Sequence, residues 1–213
     1  MNSLLQAAYL YASTHRVELV HAISQHLLLV AVALGLGIVF CIPLGVWTSR
    51  SRLAALTLIN LFNGLRVIPS LAVLFLAIPY FGLSFTSSVI ALTLLALPPI
   101  LINTDAAYRT IDDAIREAAR GMGMTPRQIL WRVETPLALP VIVTGIRTAA
   151  TEVMASATLA AFIGAGGLGL FVVRGFALYN VPILLVGAIP IALLTLAAEV
   201  LLSSVQRLLQ PPT

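Results

Sequence analysis

Apolar residues in this chain run in several blocks of bilayer length. The clearest block covers 25–47, has no Asp, Glu or Arg, and ends at Trp47 with Arg50 and Arg52 just beyond. About 20 apolar residues in helical form cross the hydrocarbon core, because lipid leaves every backbone group to be satisfied within its own segment. On that measure spans are predicted at 25–47, 53–81, 84–103, 137–164 and 181–205. The block 53–81 exceeds an upright helix and carries Pro69 and Pro79. One kinked span is predicted there, since a split at Pro69 would invert every later segment. Residues 1–24 scatter His15, Arg16, Glu18 and His21 among leucines, tyrosines and valines, a pattern that suits a helix at the membrane interface. The tail Gln210-Pro211-Pro212-Thr213 is predicted to be disordered, because proline cannot continue the last helix.

The polar exception is 109–136, which holds Arg109, Arg116, Arg120, Arg127 and Arg132. Thr110 precedes Asp113 by three residues, the capping-box spacing, and Asp112 and Asp113 put negative charge on a first helical turn. Gly121 and Gly123 stop that helix. Thr125 as N-cap, Pro126 at the first helical position and Gln128 three after the cap start another, limited by Pro136 and Pro140. The segment reads as helix, tight turn, helix.

Composition agrees: 60% of residues are hydrophobic, 9% are charged, and the mean hydropathy is +1.03. A water-soluble fold would lack polar surface to cover itself, so one all-α membrane domain, 1–213, is expected. The net charge of +4 would suggest nucleic acid in a soluble protein. Here Arg50, Arg52, Arg109, Arg116, Arg120, Arg127, Arg132 and Arg207 fall on one side of a five-span chain, against Arg16 and Arg174 on the other. That is a positive-inside bias, with the N-terminus outside and the C-terminus cytoplasmic. All twelve basic residues are arginine, which removes lysine-dependent phosphate loops and Schiff bases. No cleavage site of small residues follows Arg16, so the N-terminus is expected to be retained. Cys41 reads as a packing residue. His15, His21 and His26, six and five apart, do not stack on one helical face, so they read as interfacial residues and no metal site is expected. Gly164-Ala165-Gly166-Gly167-Leu168-Gly169 spells the dinucleotide fingerprint but follows a membrane segment where the fingerprint needs a strand. Gly164, Gly166, Gly167 and Gly169 are predicted to form an outer loop. Neither a nucleophile elbow nor a paired-carboxylate site is spelled, and no catalytic residue is assigned.

Charges at membrane depth are costly enough to suggest function. Arg66, Arg147 and Glu152 stand there, with Asn60, Asn63 and Arg66 on one flank of the second span and Thr144, Thr148, Thr151 and Thr158 recurring along the fourth. Asn63, Arg66, Pro69, Ser70, Thr148 and Glu152 are candidates for a translocation pathway. The alternative is mutual pairing that only fixes helix packing. Gly145, Ala149, Ala157 and Ala161 are expected to allow close helix approach, and Glu199 to serve packing or an interfacial position.

Glu117-Ala118-Ala119, three residues, Gly123, nine residues, Val133, two residues and Pro136 together resemble the signature loop of permease subunits of binding-protein-dependent ABC importers. Ile68-Pro69-Ser70-Leu71-Ala72, Leu97-Pro98-Pro99, Pro136-Leu137-Ala138-Leu139-Pro140, Gly145-Ile146-Arg147 and the glycine cluster resemble its osmoprotectant branch, which imports glycine betaine, choline, carnitine or proline betaine. Thr135 replaces the usual leucine, and Leu170-Phe171 stands where many relatives carry an acidic residue. The resemblance implies a five-span polytopic fold of the bacterial or archaeal cytoplasmic membrane, with a coupling-helix loop between the third and fourth spans. It implies docking to an ATP-binding subunit through Glu117, Ala118, Ala119, Gly123, Thr125 and Pro126. Other implied partners are an extracytoplasmic substrate-binding protein and a second permease copy or homologue, with lipid around them and no nucleic acid. ATP and Mg would sit on the ATPase partner, leaving this chain without cofactor or catalysis. Importers of methionine, sulfonates or phosphonates share these motifs and stay open. An autonomous transporter or channel would need inverted repeats or an ion relay, which the sequence does not spell.

Overall fold

The computed structural model describes residues 2–210, and every regular element among them is helical. In order these are α1 (Asn2–Thr14), α2 (Arg16–Arg50), α3 (Arg52–Val67), α4 (Ser70–Phe81), α5 (Phe85–Arg109), α6 (Asp113–Gly121) and α7 (Pro126–Ile129). A π-helical turn, Leu130–Glu134, leads into α8 (Thr135–Ala157); a 3-10 turn, Leu159–Ile163, then precedes α9 (Gly169–Ala177) and α10 (Val181–Leu209). α2, α5, α7 with α8, and α10 are each long and apolar enough to cross a bilayer, and α3 with α4 makes a fifth, broken span. The all-α architecture is therefore present, with four spans of bilayer length and a fifth where the bent pair counts as one. Of the tail predicted to be disordered, residues 211–213 lie outside the described residues, and Gln210 caps α10 in an extended conformation.

α5 is the central element, packed between α2 and α8. Small residues set both distances. A Cβ on Gly45 of α2 would lie 2.5 Å from Thr104 Cβ, and one on Gly145 of α8 would lie 2.7 Å from the Pro99 carbonyl oxygen. Ala149 and Ala157 are fully buried on α8, and Ala161 is buried just beyond it. Helices in lipid gain little hydrophobic energy from meeting, so close approach and dispersion hold them. Leu29, Leu92, Ile100, Leu101 and Val153 fill the core this leaves. Cys41, predicted to be a packing residue, is buried in the same core.

Three sequence expectations need correction. The kink at Pro69 is a break: α3 and α4 meet at 97°. Proline disfavours the α region for its predecessor, and Ile68 is accordingly extended at φ −75°, ψ 124°. Residues 1–24 are not one interfacial element, because α1 stops at Thr14, whose hydroxyl donates back to the Leu10 and Tyr11 carbonyls. Arg16 then opens the helix that becomes the first span, and α1 lies against α10. The fourth span ends as α-helix at Ala157 and reaches the glycine cluster through the 3-10 turn.

Candidate functional site

The polar knuckle folds as helix, turn, helix, with a different first cap. An N-cap needs extended backbone. Thr110 is at φ −83°, ψ −4°, still part of the end of α5, and its hydroxyl donates to the Ala106 carbonyl. Asp112, at φ −59°, ψ 133°, is the cap instead, and its carboxylate accepts from the Ala114 N–H at 2.9 Å. Gly123 turns the chain at φ +78°, where a side chain would be strained. The second start forms as its spacing predicts: Thr125 N–H donates to Gln128 Oε1 at 2.8 Å, and Gln128 N–H to Thr125 Oγ1, with Pro126 at the first helical position. Glu117, Ala118, Gly123, Thr125 and Pro126 are exposed together on this knuckle, whereas Ala119 is buried and packs inward.

The second knuckle helix does not end at Pro136 or Pro140; it continues into the fourth span. Pro136 has no N–H to donate and its ring crowds the carbonyl four residues back. The helix widens to absorb this, and Thr135 N–H bonds to the Leu130 carbonyl across a π-turn. The Thr135 hydroxyl donates to that same carbonyl at 2.8 Å and lies 3.0 Å from the Tyr108 hydroxyl.

The π-turn carries Glu134, whose side chain is 1% exposed and which the sequence analysis did not single out. Arg116 Nε donates to Glu134 Oε1 at 2.7 Å, and Arg50 Nη2 donates to Oε2. Arg116 also donates to the Tyr108 and Ile111 carbonyls and pairs with Asp113 at 2.7 Å. The Glu134 bond, foremost, raises the Arg116 guanidinium above its ordinary pKa, against the opposing effect of burial. Beside it Arg109 forks onto Asp105 at 3.0 and 3.1 Å and donates to the Thr48 carbonyl at 2.9 Å. One buried carboxylate thus joins α6, the root of α8 and the C-terminal end of α2. The available signal was a lone glutamate between five arginines and a proline-marked span.

A second polar cluster lies where α3 breaks. Arg66 Nη2 donates to Glu152 Oε1 at 2.7 Å, with the two side chains 44% and 38% exposed. The pair borders a cavity of about 470 Å³ with Pro69, Ser70, Pro98 and Ser156. Of the candidate pathway residues, Arg66, Pro69, Ser70 and Glu152 meet here, whereas Asn63 and Thr148 lie off this wall. Arg147 is used differently: it bonds Glu199 and Gln206 at 2.9 Å each, and Gln206 bonds the Thr144 hydroxyl at 2.9 Å.

The glycine cluster is only partly loop. Gly164, Gly166 and Gly167 have φ between +76° and +78°, but Gly169 is the first residue of α9, where a Cβ would meet the Thr158 carbonyl at 2.0 Å. Gly167 N–H donates to Gln25 Oε1 at 3.1 Å. His26, read from the sequence as interfacial, is fully buried under this loop. Neither ring nitrogen has a partner among the described residues, the Met154 carbonyl lying near but outside hydrogen-bonding geometry.

Known proteins share this architecture. A chain of the inward-facing MetNI methionine ABC transporter superposes with a TM-score of 0.80 at 24% identity, over 93% of this chain and 99% of that one, which establishes a common fold. The carnitine transport permease protein OpuCB of Listeria monocytogenes is 42% identical over 88% of this chain and 86% of its own length. The choline transport system permease protein OpuBB of Bacillus subtilis is 36% identical over 94% and 93%. The osmoprotectant import permease protein OsmW of Salmonella typhimurium is 42% identical over 88% and 89%. Residues 37–213 match the family described as binding-protein-dependent transport system inner membrane component. With its broken second span, arginine-bordered knuckle and relatives matched along nearly its whole length, this chain is a multi-pass membrane protein belonging to that family.

Proposed function

We propose that the chain is the translocating subunit of an ATP-driven importer for osmoprotectants such as glycine betaine, choline or carnitine. The names of the three relatives above carry carnitine, choline and osmoprotectant import; the methionine alternative rests on likeness of fold alone. The observation that carries the reading is an exposed knuckle tied into the bundle through buried Glu134. Movement imposed on such a knuckle is passed to α2 and α8 without slack. The partner that imposes it is an ATP-binding subunit holding ATP and Mg, which docks on Glu117, Ala118, Gly123, Thr125 and Pro126, with Ala119 supporting that face from below.

An extracytoplasmic substrate-binding protein delivers solute near the loop of Gly164, Gly166 and Gly167. A second permease copy or homologue completes the pathway, to which Arg66, Pro69, Ser70 and Glu152 contribute. The N-terminus lies outside and the knuckle with the C-terminus in the cytoplasm of a bacterium or archaeon. Alternating access follows when closure of the ATPase pair moves the two knuckles together.

Glu117→Arg tests the docking. The side chain is exposed, so the variant should insert at wild-type amounts while ATP-dependent uptake disappears. Normal uptake by that variant would remove the coupling assignment.

A further inference from the structure

Arg66 and Glu152 are bonded to each other and otherwise unused. A guanidinium offers five N–H donors and a carboxylate about four acceptor sites. The single bond of 2.7 Å between them is all either makes among the described residues. The other membrane-depth arginine, Arg147, is held by both Glu199 and Gln206. Near the knuckle, Arg116 spends its donors on two carboxylates and two carbonyls. A pair that served only to lock helices would be saturated in the same way. This one borders a cavity of about 470 Å³, within the few hundred Å³ typical of small-ligand sites.

Position strengthens the argument. Arg66 is 14 residues beyond Arg52, the start of α3, hence about 21 Å along one arm of a broken apolar segment at 1.5 Å per residue. Charges there are costly unless partnered. Only a ligand carrying both signs can open the pair without stranding one of its members. A lone cation that took Glu152 would leave Arg66 without its carboxylate partner. A zwitterion replaces both partners at once, its carboxylate in the guanidinium fork and its ammonium end against Glu152.

We infer that Arg66 and Glu152 form a transient exchange site for small zwitterions carrying a carboxylate and a quaternary ammonium, with Ser70 and Ser156 lining the same cavity. The inference rests on the importer reading and names the substrate chemistry of that pathway.

The test uses the complete transporter, with its ATPase and binding-protein partners, and compares uptake of glycine betaine, a zwitterion, with choline, a cation. Arg66→Gln should lower the glycine betaine to choline uptake ratio by about tenfold or more, the equivalent of one charge-assisted hydrogen bond. A ratio cancels any general loss of protein. The double replacement Arg66→Glu with Glu152→Arg keeps the ion pair but reverses it. Continued loss of glycine betaine uptake supports the site, whereas full rescue would show that the pair only holds helices. An unchanged ratio in Arg66→Gln would likewise overturn the inference.

A second arm needs no transport. A Ser70→Cys thiol in the assembled complex should be alkylated several-fold more slowly with glycine betaine than with equal choline chloride. Equal rates would sink the site. If the wild type imports neither compound, the importer reading for these solutes fails by itself, and the protection measurement still decides the site.

Discussion

At the scale of single residues, polarity in the sequence and polarity in use diverge. Thr144, Thr148 and Thr151 look like a stripe lining a channel, yet each hydroxyl donates to the carbonyl four residues back on its own helix. Such bonding hides a hydroxyl from the helix surface, and helical spacing alone cannot show it. Thr135, which departs from the usual leucine, is explained by its bonds at the π-turn. His26 is the opposite case. Its burial without a partner costs about 1–3 kcal/mol, and an apolar group of similar size removes that penalty. His26→Leu should therefore raise the unfolding temperature in detergent by about 2–12 °C, at about 2–4 °C per kcal/mol for a chain of this size. A fall of that size would mean that the imidazole has a role beyond packing.

At the scale of elements, the knuckle was half legible. The Thr125–Gln128 box and the stop at Gly123 are local chemistry, fixed by neighbours three residues away, and both formed as expected. The first cap moved from Thr110 to Asp112, because how far α5 extends is set by its packing. The anchor was not legible, since Arg50, Arg116 and Glu134 are far apart in sequence and meet only when α2, α6 and the π-turn converge. Glu134→Gln keeps the shape but removes the charge shared by two arginines. It should cost about 1.5–3 kcal/mol of stability, the worth of a hydrogen bond to a charged group. Co-purification of the proposed ATP-binding subunit should persist, because the proposed docking face is untouched, while uptake per ATP hydrolysed falls. Uptake and hydrolysis that stay in the wild-type ratio would show that the anchor does not transmit motion.

For the whole molecule, the arginine distribution predicts which side each loop faces, and single cysteines can read it. Cys41 is buried and leaves a quiet background. In intact cells a membrane-impermeant maleimide should label Leu178→Cys but spare Met122→Cys, both positions being exposed; in inverted vesicles the pattern should reverse. Labelling of Met122→Cys from outside would reverse the topology. The sequence alone determined the solvent, the blocks of bilayer length and the helix-turn-helix of the knuckle, because block length and capping are local properties of the chain. Only the tertiary structure decided that Pro69 breaks its span by 97°, that Glu134 joins three elements, and that Arg66 and Glu152 share a cavity. Those outcomes depend on which distant helices meet and how closely glycines such as Gly45 and Gly145 let them approach. Pairwise distances of that kind arise from packing the entire bundle, and no single stretch of residues contains them.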